Sequence, residues 1–252
     1  MPAPDEYGLS DPSLAPAAAL MADRARAAML TALLGGRALA AGELARLAGV
    51  QPSTASAHLA RLLDGGLVTV TSRGRQRYYS LAGHEVAAAI EALSQLGPVP
   101  PVRTLRQSRQ AAALAGARTC YDHLAGRAGV ALLDGMLRRG LLHEKSSGRT
   151  DRSDTSAVRF EVTGAGAKVL GSFGLNIGEI RRSRRRFAGT CIDWTQRRGH
   201  LNGALAAAIT ARLFELGWIE RCWSGPGQRR RGVRVTPAGT EGLARTFGLD
   251  LT

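Results

Sequence analysis

Gly42-Glu43-Leu44-Ala45-Arg46-Leu47-Ala48-Gly49-Val50-Gln51-Pro52-Ser53-Thr54-Ala55-Ser56-Ala57-His58-Leu59-Ala60-Arg61-Leu62-Leu63 reads as two helices joined by a tight turn. In the first, from Glu43 to Ala48, apolar residues recur three and four apart, and Gly49 ends it where a positive φ is easy to adopt. Pro52 suits the first turn of a second helix, where its missing N–H costs nothing. Leu59, Leu62 and Leu63 are expected to face inward. The opposite face then carries Ser53, Thr54, Ser56, Ala57, His58 and Arg61, which are short or small side chains with one long cation. Such a face fits the major groove of DNA.

A hairpin follows at once. Leu67-Val68-Thr69-Val70-Thr71 and Arg77-Tyr78-Tyr79-Ser80-Leu81 are β-prone and are joined through Ser72-Arg73-Gly74-Arg75-Gln76. Arg73, Arg75 and Arg77 alternate along this ribbon, where they can reach phosphates or a narrow minor groove. Helix, turn, helix and basic hairpin make a winged helix-turn-helix. The bland alternative is a helical pair and a hairpin with solvated charges, which does not account for a small polar face and an arginine wing occurring together.

The stretch from Leu20 to Leu96 resembles the arsenical-repressor (ArsR) family of winged-helix transcriptional regulators. Asp23-Arg24-Ala25-Arg26-Ala27-Ala28-Met29-Leu30 is similar to the family's first helix, Pro52 to Leu59 to its recognition helix, and Leu63-Asp64-Gly65-Gly66-Leu67-Val68 to the start of its wing. The resemblance implies a homodimer that represses transcription and releases double-stranded DNA when an inducer binds; a cytoplasmic place is expected from the sparse cysteines instead. It does not carry over the family's metal sites. The helix from Glu43 to Ala48 has no cysteine, and the last helix of the domain, from His84 to Leu96, offers only His84, Glu85 and Glu91. No metal and no cofactor is expected on these grounds.

The chain has 252 residues, more than one such domain needs, and 44% of them are hydrophobic. No run is long and apolar enough to span a bilayer, so no membrane partner is expected. Residues 1–16 are rich in Pro, Ala and Asp and read as a disordered tail, and three cysteines suit a reducing compartment. The net charge of +14 points toward polyanions, yet it is unevenly spread. Residues 1–97 hold eight basic and eight acidic residues, whereas residues 98–252 hold 26 basic and 12 acidic ones.

Beyond Gly97-Pro98-Val99-Pro100-Pro101 the chain appears twice over. Arg118-Thr119-Cys120-Tyr121-Asp122-His123-Leu124 aligns with Gly189-Thr190-Cys191-Ile192-Asp193-Trp194-Thr195. A long helix, a glycine turn (Gly140 or Gly217), a hairpin and a threonine-capped helix (Thr163 or Thr236) follow in each copy. The fold expected is therefore α+β, mainly α: a tail (1–16), a winged helix-turn-helix domain (17–97), a linker and connecting helix (98–117), and two partial winged-helix-like repeats (118–180 and 181–252). Arg181 to Arg186 and Arg229 to Arg231 form basic runs, read either as solvated faces or as phosphate contacts.

The paired Cys-x-Asp elements are the candidate effector site: Cys120, Asp122, His123, Cys191, Asp193, Trp194 and His200. Four readings stay open. Asp122 and Asp193 can be helix N-caps with the cysteines as small buried hydrophobes. The same groups, with His200 on the helical face of Asp193, can bind a thiophilic metal. Cys120 and Cys191 can form a thiol switch. A small organic ligand can stack on Trp194 or Trp218. No nucleophile elbow, phosphate loop or metalloprotease motif occurs, so no enzyme is expected. The function expected is a homodimeric repressor on a pseudo-palindromic operator, released by a small-molecule or thiol-reactive effector sensed in the C-terminal region. The alternatives are an architectural DNA-binding protein without an effector, or a thiol- or metal-responsive sensor using Cys120 and Cys191.

Overall fold

The structure, a computed structural model, describes residues 14–97, 103–145, 158–223 and 229–250. The expected tail lies outside them up to residue 13, and its last three residues belong to the first helix. The first region runs α1 (Leu14–Ala22), α2 (Arg24–Leu33), β1 (Leu39–Ala40), α3 (Ala41–Ala48), α4 (Pro52–Asp64), β2 (Val68–Arg73), β3 (Gln76–Leu81) and α5 (His84–Leu96). Asp23 caps α2 by accepting from the Arg26 N–H at 2.9 Å. Gly49 ends α3 in the left-handed conformation and Pro52 opens α4, as the sequence predicts.

The three strands pair in the order β1-β3-β2, and the wing is tighter than expected, since β2 and β3 extend to Arg73 and Gln76 around Gly74 and Arg75 alone. Met29, Leu30, Leu33, Leu44, Leu59, Leu62, Tyr79 and Ile90 form this region's core. Leu63 does not join it. It is 38% exposed, because the buried stripe of α4 runs through Ala55, Leu59 and Leu62.

After α6 (Leu105–Gly116), which starts at a capping box of Thr104 and Gln107, one order of elements occurs twice. The first passage is β4 (Arg118–Cys120), β5 (His123–Ala125), α7 (Gly126–Arg138), β6 (Leu142–Glu144), β7 (Phe160–Val162) and α8 (Gly164–Ser172). A short α9 (Ile177–Arg181) leads to the second: β8 (Gly189–Ile192), β9 (Gly199–Asn202), α10 (Ala204–Glu215), β10 (Ile219–Trp223), β11 (Arg229–Val235) and α11 (Pro237–Phe247).

The wing of each passage pairs with the opening strand of the other. Val233 donates its N–H to the Ala117 carbonyl at 3.0 Å, and Phe160 to the Ala188 carbonyl at 3.1 Å. Thr163 and Thr236 cap α8 and α11, and their hydroxyls also donate to the carbonyls of Gly140 and Gly217. Gly166 and Gly239 lie so near the preceding turns that an added Cβ would stand 2.1 Å from the Leu141 oxygen and 1.9 Å from that of Trp218. The two passages share one apolar core, in which Met136, Phe160 and Leu170 pack with Leu205, Ile209, Leu213 and Phe247.

Candidate functional site

Two sites follow from this arrangement, one on the surface and one inside. On α4, Ser53, Thr54, Ser56, Ala57 and Arg61 are exposed, since the buried stripe takes the other side of the helix. Ser56 donates its hydroxyl to the Pro52 carbonyl at 2.9 Å. His58 departs from this face: it is half-buried, with Nδ1 3.6 Å from Asp23 Oδ1 at the start of α2. Arg73, Arg75 and Arg77 are exposed on the wing, and the Arg73 guanidinium lies 5.6 Å from the centre of the Tyr78 ring. Arg46 of α3 joins Arg75 and Arg77 in lining a cleft of about 590 Å³. The sequence reading missed Arg46, although a long cation in the last turn of α3 could have marked it.

The inner site is built by two short hairpins. β4 and β5 are joined only by Tyr121 and Asp122, with Tyr121 at φ 59°, and this sets Cys120 directly opposite His123. In the second hairpin, register sets Cys191 opposite His200. Each hairpin thus offers one cross-strand Cys/His pair, and the ligand atoms of all four residues lie within 4.8 Å of one another. Cys120, His123 and His200 are buried and Cys191 is half-buried. The two imidazoles stack with centroids 5.2 Å apart.

His200 was expected on a helical face seven residues after Asp193. It sits instead on a strand, and it meets Cys191 because antiparallel pairing, not helical period, aligns them. The N-cap reading holds in part: Asp193 accepts from the Thr195 and Gln196 N–H groups at 2.8 and 3.0 Å, but it caps a hairpin turn rather than a helix, and Asp122 likewise lies in a turn ahead of a strand.

Asp122 stands beside the cluster, with Oδ1 3.3 Å from His123 Nδ1 and an ion pair to Arg185. Burial opposes a charged His123, but the hydrogen bond to Asp122 raises its pKa. Burial, with His123 alongside, lowers that of His200 to about 3 and keeps it a neutral imidazole. The neighbouring Cys120 thiol, and then the nearby His123 imidazole, make Cys191 the more acidic thiol, while the Cys120 thiol is pushed well up. Asn202 donates to Cys191 Sγ at 3.0 Å. Among the described side chains, His123 Nε2 and both ring nitrogens of His200 are buried without a hydrogen-bond partner.

Asp193 and Trp194 do not join the cluster. Asp193 is wholly buried and forms a 2.9 Å ion pair with the equally buried Arg118. It also accepts from the Gly126 N–H at 2.6 Å and from the Thr195 hydroxyl at 2.6 Å. Burial works against its charge, but the Thr195 hydroxyl, Arg118 and the backbone N–H groups outweigh it and hold the carboxyl at about 2. Trp194 lies under the Arg118 guanidinium, 5.0 Å from its ring centre. Arg118 also reaches to within 4.0 Å of Glu91 on α5, which forms an ion pair with Arg231.

The basic runs are accordingly less free than their sequence suggests. Arg181 pairs with Glu161, Arg185 with Asp122, and Arg231 with Glu91 rather than standing at a hairpin tip. Both hairpins also touch the winged region. Tyr121 donates its N–H to the Leu34 carbonyl at 2.8 Å, and Gln95 of α5 donates to the Ile192 carbonyl at 3.2 Å.

A family model described as a helix-turn-helix domain matches residues 21–71. The chain is 38% identical over 229 residues to an uncharacterized HTH-type transcriptional regulator, YdfF, of Bacillus subtilis, covering 91% of this chain and 94% of that protein. Among solved structures, the homodimeric winged helix-turn-helix domain of Mb0332 from Mycobacterium bovis, described as a possible ArsR-family transcriptional regulator, is 35% identical. That match covers 33% of this chain and 75% of the other at a TM-score of 0.30. The cadmium metal-sensor CMTR from Mycobacterium tuberculosis is 36% identical, over 37% of this chain and all of its own, at a TM-score of 0.30. With its exposed α4 and arginine wing, the chain belongs to the family of HTH-type transcriptional regulators.

Proposed function

We propose that this regulator is a homodimeric repressor that reads a pseudo-palindromic operator through α4 and is released by an effector sensed in its C-terminal region. The observation that carries the reading is the small polar face of α4 lying open beside the arginine wing. Ser53, Thr54, Ser56, Ala57 and Arg61 would meet base edges, while Arg46, Arg73, Arg75 and Arg77 would hold phosphates. His58, braced on Asp23, would set the pitch of α4 against α2.

Dimerisation would use α1 and α5. Leu14, Leu93 and Leu96 stand 78%, 49% and 84% exposed there, apolar surface that a second copy would cover. The C-terminal passages would act as one sensing unit made of two related halves, since their strands pair reciprocally and their core is shared.

Footprinting of the full chain on operator fragments selected from random DNA tests this. A protected pseudo-palindrome with half-sites about 34 Å apart is expected. Arg61→Ala should weaken specific binding roughly tenfold. Each wing arginine replaced by alanine should lower the salt slope by about one. Extended protection without sequence preference would instead support an architectural role, against which the ion-paired state of Arg181, Arg185 and Arg231 already weighs.

A further inference from the structure

We propose that Cys120, His123, Cys191 and His200 form a tetrahedral site for one thiophilic divalent cation of the zinc group, and that this is the effector site of the reading above. The cation site stands on its own geometry. Only its role as effector rests on the regulator reading.

Three features carry the site. The donor set is two sulfurs and two imidazoles, the composition of many closed zinc sites. The residues come from four strands in two hairpins, and each hairpin supplies the same cross-strand pair. Their ligand atoms fall within 4.8 Å of one another. Zn–S bonds of about 2.3 Å and Zn–N bonds of about 2.0 Å place tetrahedral ligands roughly 3.4–3.8 Å apart, so closure needs a shift of about 1 Å.

The unpartnered nitrogens are the independent sign of a ligand. Burying His123 Nε2 and both nitrogens of His200 without a hydrogen bond is costly, and a cation takes one nitrogen from each ring. His123 has its other nitrogen on Asp122, which fixes the ring and leaves Nε2 as the donor, the usual arrangement of a metal-bound histidine. On binding, both thiols release their protons to solvent. The resulting thiolates balance the dication, so the buried site carries no net charge.

The same hairpins touch the DNA-reading region. The β4–β5 turn rests on the end of α2 through Tyr121 and Leu34, where a Cβ on Gly36 would stand 2.1 Å from the Tyr121 oxygen. The β8–β9 hairpin receives Gln95 of α5. A cation clamping the hairpins together therefore sets the distance between two supports of the winged region. The sequence carried no metal over to the helices of the winged region and left a thiophilic metal as one of four readings of the Cys-x-Asp elements, with His200 on a helical face; strand register replaces that placement.

The test is cobalt(II) titration of the full, reduced chain, followed by native mass spectrometry and displacement by zinc. The expected result is one cobalt per chain with tetrahedral d–d absorption, thiolate-to-cobalt charge transfer and loss of both on adding zinc. The double variant Cys120→Ser/Cys191→Ser should abolish the spectrum, and Asp122→Asn should weaken binding tenfold or more. Cys222→Ser, outside the cluster, should leave it unchanged. An octahedral spectrum, no bound ion, or equal binding by the double serine variant would overturn the site. The wild-type spectrum decides this even if a variant folds poorly.

Operator affinity with and without one equivalent of zinc then tests the effector role. A change of at least fivefold is expected, and an unchanged affinity would overturn that role. Loss of the footprint in the presence and absence of zinc alike would instead count against the DNA-reading assignment.

Discussion

The winged region and the C-terminal pair handle polar groups in opposite ways. In the first, the side chains assigned to DNA are mostly on the surface over an apolar core, and the buried charges are Arg26, held by the carbonyls of Ala19 and Leu20, and Glu91 at the border. In the second, Arg118, Thr119, His123, Asp193, His200 and Thr210 are all inside. On the proposed roles, the difference follows from the partner. DNA supplies its own opposite charges and base edges, so its readers must stay solvated until it arrives. A small effector must be held by groups already in place, and a low-dielectric interior makes those groups both strong and selective.

The contrast is most easily broken at Arg118. Removing it leaves Asp193 as an uncompensated buried charge, so Arg118→Ala should cost about 3–5 kcal/mol in urea denaturation. A cost under 1 kcal/mol would mean that the buried network is not what holds the C-terminal region. The pair Gly166→Ala and Gly239→Ala sharpens the equivalence of the two passages. Each Cβ would collide with a backbone carbonyl, and each substitution should cost roughly 2–4 kcal/mol by thermal denaturation. Tolerance at one site alone would separate the halves.

Asp193 adds a pH signature. Its carboxyl is held at about 2, below the usual 3.8. Its contribution is therefore fully present above pH ~4 and is lost as pH falls through ~2, amounting to about 2 kcal/mol. Asp193→Asn should lack that part of the acid limb, as urea midpoints measured between pH 5 and pH 2 would show.

Much of the winged region was legible because its signals are local. Gly49 and Pro52 act on their own φ angles, whereas the Asp23 cap was not read and the wing turn was set longer than the two residues Gly74 and Arg75 that close it. Leu63 misled because three leucines near one end of α4 fit an inward stripe equally well, and only the packing of α2 and α3 against that helix chose Leu59 and Leu62. Thr163 and Thr236 were legible as caps for the same local reason.

The inner site was half legible. Every residue of the cluster was among the candidates, but Asp193 and Trp194 were grouped with it on sequence proximity, and the binding geometry was sought along a helix. The strand register that sets His200 opposite Cys191, and the ion pair that draws Arg231 away from a hairpin tip to Glu91, have no signal in spacing.

Composition, caps and apolar periodicity, which depend on groups within about four residues of one another, by themselves determined the winged helix-turn-helix, most of the exposed polar face of α4 and the twofold ordering of the C-terminal elements. Tertiary structure alone decided which buried groups meet. Cys120 and Cys191 stand 71 residues apart in the chain, and their approach depends on reciprocal strand pairing and a shared core, where free energy is gained only after both passages have folded together.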